Sequence, residues 1–96
     1  MSYSATTIVA MPALSRFYGI AIFMYVRDHN PPHYHALYSG HEATILIEGA
    51  QVLYGSLPRR ALRLIYAWHR LHQEELTEAW RRAQRHEPVG TIEPLP

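Results

Sequence analysis

The chain contains no cysteine and no lysine in its 96 residues. Without cysteine there is no disulfide scaffold, and no zinc-finger spacing is present. Long apolar runs are missing as well, since none approaches the roughly 20 residues of a membrane-spanning helix. No positively charged leader with an apolar segment and a small-residue cleavage site opens the chain, so the expectation is a soluble, cytoplasmic protein without a membrane partner. A glycine-rich phosphate loop, a nucleophilic-serine motif and a paired-carboxylate signature are all absent, so none of those chemistries has an anchor in the sequence. Charge is sparse at 18% of residues and nets to +1, too little to advertise nucleic-acid binding by itself. All nine basic residues are arginine, the side chain suited to phosphate forks and aromatic stacking.

What is present argues for a folded domain, because 48% of the residues are hydrophobic and the composition does not shift along the chain. Residues 1–10 carry no usable pattern and are expected to be a disordered N-terminal extension, leaving 11–96 as a single α+β domain. The densest stretch is Arg27-Asp28-His29-Asn30-Pro31-Pro32-His33-Tyr34-His35-Ala36, which holds three of the seven histidines beside a double proline. Proline fixes φ and disfavours helix in the residue before it, so Asp28 to Pro32 reads as a rigid connection between β segments.

Gly19 to Val26 is β-branched and aromatic and reads as strand one. His33 to Tyr38 reads as strand two, Ser39-Gly40 as a two-residue turn, His41 to Glu48 as strand three, and Gln51 to Tyr54 as a short fourth strand after Gly49-Ala50. In this antiparallel meander Tyr38 faces His41 and His35 faces Thr44, while Arg27 is expected opposite His33 and Tyr25 opposite His35. Period-2 geometry then separates two faces. Ile20, Ile22, Met24, Val26, Tyr34, Ala36, Tyr38, Ala43, Ile45, Ile47, Val52 and Tyr54 form the core face, with His41 at its rim. Phe23, Tyr25, Arg27, His33, His35, Leu37, Glu42, Thr44, Leu46, Gln51 and Leu53 form a mixed face, too polar for a core and too aromatic for an idle surface.

Ser56 is the expected N-cap of a C-terminal helix, with Pro58 in its first turn. Leu62, Ile65, Trp68, His72, Leu76, Ala79 and Ala83 recur at helical spacing, with Trp80 close to the same face. A helix reaching His86 would span roughly 43 Å against strands of roughly 20 to 25 Å, so it should bend near His72-Gln73 or overhang the sheet. Glu87-Pro88-Val89-Gly90 stops it, and Thr91 to Pro96 is an extended tail. The expected fold is α+β: a four-stranded antiparallel β-meander with a long C-terminal helix, bent or split, packed on one face.

Four segments carry a family resemblance: Ser15-Arg16-Phe17-Tyr18-Gly19-Ile20, Asp28-His29-Asn30-Pro31-Pro32-His33-Tyr34-His35-Ala36, Gly55-Ser56-Leu57-Pro58-Arg59-Arg60-Ala61-Leu62-Arg63-Leu64, and Ile92-Glu93-Pro94-Leu95. Through them the chain, over roughly residues 11 to 96, resembles the bacterial family catalogued as domain of unknown function 4160. The resemblance implies a small prokaryotic protein, often encoded beside a second small protein in gene pairs that look like toxin-antitoxin modules. On activity it is nearly silent.

The residues themselves leave several chemistries open. Asp28, His29, His33 and His35 offer nitrogen and carboxylate ligands that suit zinc, nickel or iron(II), with Glu42 on the neighbouring strand; no cofactor is required by the sequence. His33 and His35 could instead serve as acid and base of a small ribonuclease, with Arg27 holding the phosphate and Tyr25 stacking a base. Arg59, Arg60 and Arg63 lie in the first turns of the helix, where the macrodipole disfavours cations and an incoming phosphate would compensate. They read either as that phosphate site or as a solvated arginine run. The leading functional expectation is a binding component of a two-protein module, contacting RNA, DNA or a cognate protein through the open sheet face and these arginines. An enzyme using the Asp28 to His35 segment, or a homodimer formed through the sheet face, are the other readings.

Overall fold

The computed structural model describes residues 12–96, so the expected extension at residues 1–10 lies outside the described residues. Five antiparallel strands follow one another in sequence order: β1 (Ser15–Phe17), β2 (Ile20–Phe23), β3 (His33–Tyr38), β4 (His41–Leu46) and β5 (Val52–Gly55). Among the described residues one helix, α1 (Arg59–Gln84), covers one face of the sheet. The α+β architecture is the expected one, with one strand more than the sequence suggested.

The additional strand comes from a hairpin at Tyr18-Gly19. Both residues have positive φ, 48° and 82°, as a type I′ turn requires, and Phe17 pairs with Ile20 across it. A strand of three residues leaves no periodicity to read, and a tyrosine in the left-handed region hides the turn. Ser39-Gly40 repeats the geometry at φ 47° and 83°, so β3 and β4 pair as expected, with Tyr38 opposite His41 and His35 opposite Thr44.

Two registers depart from expectation. The β2–β3 ladder ends at Phe23 opposite His35, so the pairs Tyr25 with His35 and Arg27 with His33 do not form. After Phe23 the chain leaves the sheet: Arg27 sits at φ 54° and its amide donates to the Ala83 carbonyl at the end of α1, 3.2 Å away. Met24 remains in the core, whereas Val26 is exposed. The second departure is a β-bulge between Thr44 and Ile45, where Thr44 pairs with Tyr54 and Ile45 with Val52, leaving Leu53 between them. Tyr54, expected in the core, therefore lies on the open face and is 67% exposed.

The core lies between the sheet and α1, and Trp68, Tyr34, Leu14, Ile20, Ile22, Ile45, Ile65 and Leu76 are its largest fully buried side chains. Their burial is the main stabilising term. Helix α1 begins at Arg59 with Pro58 at the N-cap and no side-chain cap; Ser56 instead lies outside the helix, its amide donating to the Glu42 carbonyl. The helix breaks at His72 (φ −125°, ψ 23°), where its length against the sheet predicted a bend. His69 and Gln73, on either side of the break, both donate through side-chain nitrogens to the Ile47 carbonyl, at 2.8 and 3.1 Å, and so fasten the bend to the end of β4. The tail is extended, as expected, and held down: the Ile92 amide donates to the Leu14 carbonyl and the Trp68 indole to the Glu93 carbonyl. Among the described residues no helix is long and apolar enough to cross a membrane.

Candidate functional site

The loop between β2 and β3 is placed by the end of α1. Besides the Arg27 amide bond to Ala83, the Gln84 side chain donates to the Asp28 carbonyl at 3.0 Å. The Asp28 side chain is thereby turned back over the start of β3. Asn30-Pro31 is a cis peptide, and the Pro32 carbonyl accepts from the Ile47 amide, which fixes the other end of the loop.

Three side chains converge on one point. Asp28 Oδ2 lies 2.8 Å from His33 Nε2 and 3.1 Å from His35 Nε2, with the two imidazoles edge to face at 84° and 5.0 Å between centroids. Each ring is held from behind. His33 Nδ1 is 2.7 Å from the Pro31 carbonyl and its ring packs on Trp80, while His35 Nδ1 is 3.4 Å from the Thr44 hydroxyl and its ring stacks on Tyr25 at 4.4 Å. The second carboxylate oxygen, Asp28 Oδ1, accepts from the His29 amide at 3.0 Å. Burial raises the Asp28 pKa, but hydrogen bonds from His35, His33 and the His29 amide outweigh it and hold the carboxyl below its usual value. Burial, reinforced by the Glu42 and Asp28 carboxylates, pushes the Tyr25 phenol up, so it remains neutral at physiological pH.

The tautomer of His33 follows from its partners. A carbonyl oxygen can only accept, so His33 Nδ1 carries its proton. In a neutral ring Nε2 is then a bare lone pair, and it faces a carboxylate oxygen. At 2.8 Å the two atoms share either a proton or a metal ion.

Of the residues singled out in the sequence, the structure brings together Asp28, His33 and His35. His33 was expected on the accessible mixed face; it is instead 3% exposed, closed in by the loop and by Trp80. His29 takes part through its backbone, and its imidazole is 84% exposed. Glu42 pairs with Leu37, further along the hairpin, and is not a member of the converging group. Arg27 is exposed beside the loop, whereas Arg59, Arg60 and Arg63 lie at the opposite end of α1 from the residues that hold Asp28. These three arginines have no carboxylate partner among the described residues, and no acidic residue stands in the first turn. Both imidazoles lean on a single carboxylate oxygen.

The cluster opens onto a concavity of about 240 Å³, lined by Asp28, His35, Thr44, Leu53 and Tyr54 among others. Register explains its floor: His35, Thr44 and Tyr54 stand in one line on the face away from α1, a line that Phe23 extends to a fourth strand. Arg16, on the same face, holds its guanidinium 5.8 Å from the Phe23 ring centroid. Sequence reasoning missed Tyr54, because a bulge is invisible to strict alternation, and also the Pro31 carbonyl and Trp80, which no periodicity links to His33.

No curated protein and no solved structure matches the chain. A family model described as Domain of unknown function (DUF4160) matches residues 19–81, which contain every residue of this cluster, and the chain belongs to that family.

Proposed function

We propose that the protein is a small binding module that holds single-stranded nucleic acid on its open sheet face. The observation that carries this reading is the line Phe23, His35, Thr44 and Tyr54 across the uncovered face, with Tyr25 stacked on His35 and Arg16 over Phe23. Unpaired bases are recognised by stacking on aromatic rings and arginine planes presented by a rigid sheet. An antiparallel sheet with one covered face supplies such a platform. The concavity beside Tyr54, about 240 Å³, is smaller than the roughly 300–1,000 Å³ of drug-sized ligand pockets and suits a single planar ring. The free arginines Arg59, Arg60 and Arg63 begin five residues after Tyr54 in the chain and are available to a phosphate backbone leaving that end of the row. In the paired-gene setting that the resemblance implies, the cognate small protein would be a second partner of the module.

Titration of a fluorescent single-stranded RNA of mixed sequence tests this. Wild type is expected to bind at low salt, and Tyr54→Ala to bind about 10-fold more weakly, since one base stack is worth about 1–3 kcal/mol. Tyr54 packs against nothing in the core, so the variant keeps its fold. A wild-type protein that binds neither RNA nor single-stranded DNA at low salt would sink the reading and give the face to a protein partner or a second copy.

A further inference from the structure

We propose that Asp28, His33 and His35 form a binding site for a divalent first-row transition metal of the zinc class. The inference is independent of nucleic-acid binding and rests on how the three donors are held.

The donor atoms of the three residues lie within 4.8 Å of one another. Two imidazole nitrogens and one carboxylate oxygen are a donor set for Zn²⁺, Fe²⁺ or Ni²⁺, and a poor one for Mg²⁺ or Ca²⁺, which take oxygen ligands. Around a tetrahedral ion with bonds of about 2.1 Å, ligand atoms stand about 3.4 Å apart. The observed 2.8 and 3.1 Å reach that spacing if the Asp28 carboxylate withdraws by a few tenths of an ångström. The loop end of the cluster is the part able to give, since Asp28 is 18% exposed whereas His33 is sealed in.

The supporting shell points the same way. A metal-ligating histidine needs its other ring nitrogen to donate to an oxygen, which fixes the tautomer and aims the lone pair. His33 has that arrangement with the Pro31 carbonyl, so Nε2 is the ring atom left to a ligand and it faces Asp28. The Thr44 hydroxyl stands in the equivalent place behind His35 Nδ1, and the His29 amide occupies the carboxylate oxygen that does not face the rings. Three protein donors leave a further coordination position, as in catalytic rather than structural zinc sites, and the concavity lined by Thr44, Leu53 and Tyr54 gives it access to solvent. A water or an anionic oxygen ligand is the class of group that position would take.

The test is zinc titration of the tag-free, chelator-dialysed chain, by calorimetry and by thermal melting, in the absence of nucleic acid. One zinc per chain is expected, with a raised melting temperature. Because His33 is buried and its removal can unfold the protein, the variants are His35→Ala and Asp28→Asn, each confirmed as folded by circular dichroism. Each is expected to weaken zinc binding by at least 10-fold, and His41→Ala, at the far end of the β3–β4 hairpin, to leave it unchanged. Absence of heat and of any shift in the melt with zinc in large excess overturns the proposal, and so does zinc binding that survives His35→Ala but is lost in His41→Ala.

Discussion

Replacing Tyr34 by phenylalanine removes one oxygen from the centre of the molecule, and the structure says what that oxygen does. Tyr34 is fully buried between the sheet and α1, and its hydroxyl is 2.7 Å from His69 Nδ1. His69 Nε2 faces the Ile47 carbonyl at 2.8 Å, so Nε2 carries the proton and Nδ1 is the acceptor of the Tyr34 hydroxyl. Phenylalanine keeps the ring and its edge-to-face contact with Trp68, so no cavity larger than a hydroxyl opens. What remains is a buried imidazole lone pair with no donor, a penalty of about 1–3 kcal/mol. In a domain of this size that corresponds to a melting temperature lower by roughly 4–8 °C per kcal/mol. Chemical denaturation monitored by tryptophan fluorescence, with unchanged slope and a lower midpoint, is the expected result. A variant as stable as wild type would show that His69 does not accept from Tyr34, and that the His69 ring is oriented or protonated otherwise.

Other expectations follow from single features. Burial keeps His69 neutral by lowering its pKa, against hydrogen bonds with Ile47 and Gln73 that raise it. The unfolded chain therefore binds a proton near pH 6.5 that the folded chain does not, so His69 makes stability fall as the pH drops below about 6.5, and melting curves of wild type and His69→Gln across that range should diverge accordingly. Gly55→Ala should destabilise by more than about 1 kcal/mol, because Gly55 has φ +78° and a Cβ there would strike the Glu42 carbonyl; thermal melting reads this directly. Replacing Arg59, Arg60 and Arg63 together by glutamine should leave the melting temperature unchanged or slightly higher, since three cations leave the positive end of α1, while the salt dependence of RNA binding flattens by up to about three phosphate contacts.

The parts of the fold that could be read from the chain are those where a period runs long enough to be unambiguous. The β3–β4 hairpin combines alternation with a Ser39-Gly40 turn, and α1 repeats apolar residues from Ala61 to Ala83, so partners, faces and even the bend at His72 follow from spacing and length. Strand β1 is too short to have a period. Tyr54 was misplaced by one bulge, and Tyr25 and Arg27 by a chain that leaves its ladder to bond with a helix end more than fifty residues away. At the candidate site, the grouping of Asp28 with His33 and His35 is visible as proximity in sequence. The burial of His33 is not, because Trp80 and the Pro31 carbonyl supply it from a distant helix and from backbone.

The attachment of the Asp28 loop to Ala83 and Gln84 has a further consequence. The last turn of a helix is the part that opens most easily, and these two residues stand in the final two positions of α1. That end therefore positions the segment that carries the carboxylate, while His33 and His35 are positioned by the sheet. The cluster thus joins two structural elements: two of its members belong to β3 and the third is tied to the helix end. A substitution in the last turn of α1 reaches the carboxylate without touching the five strands.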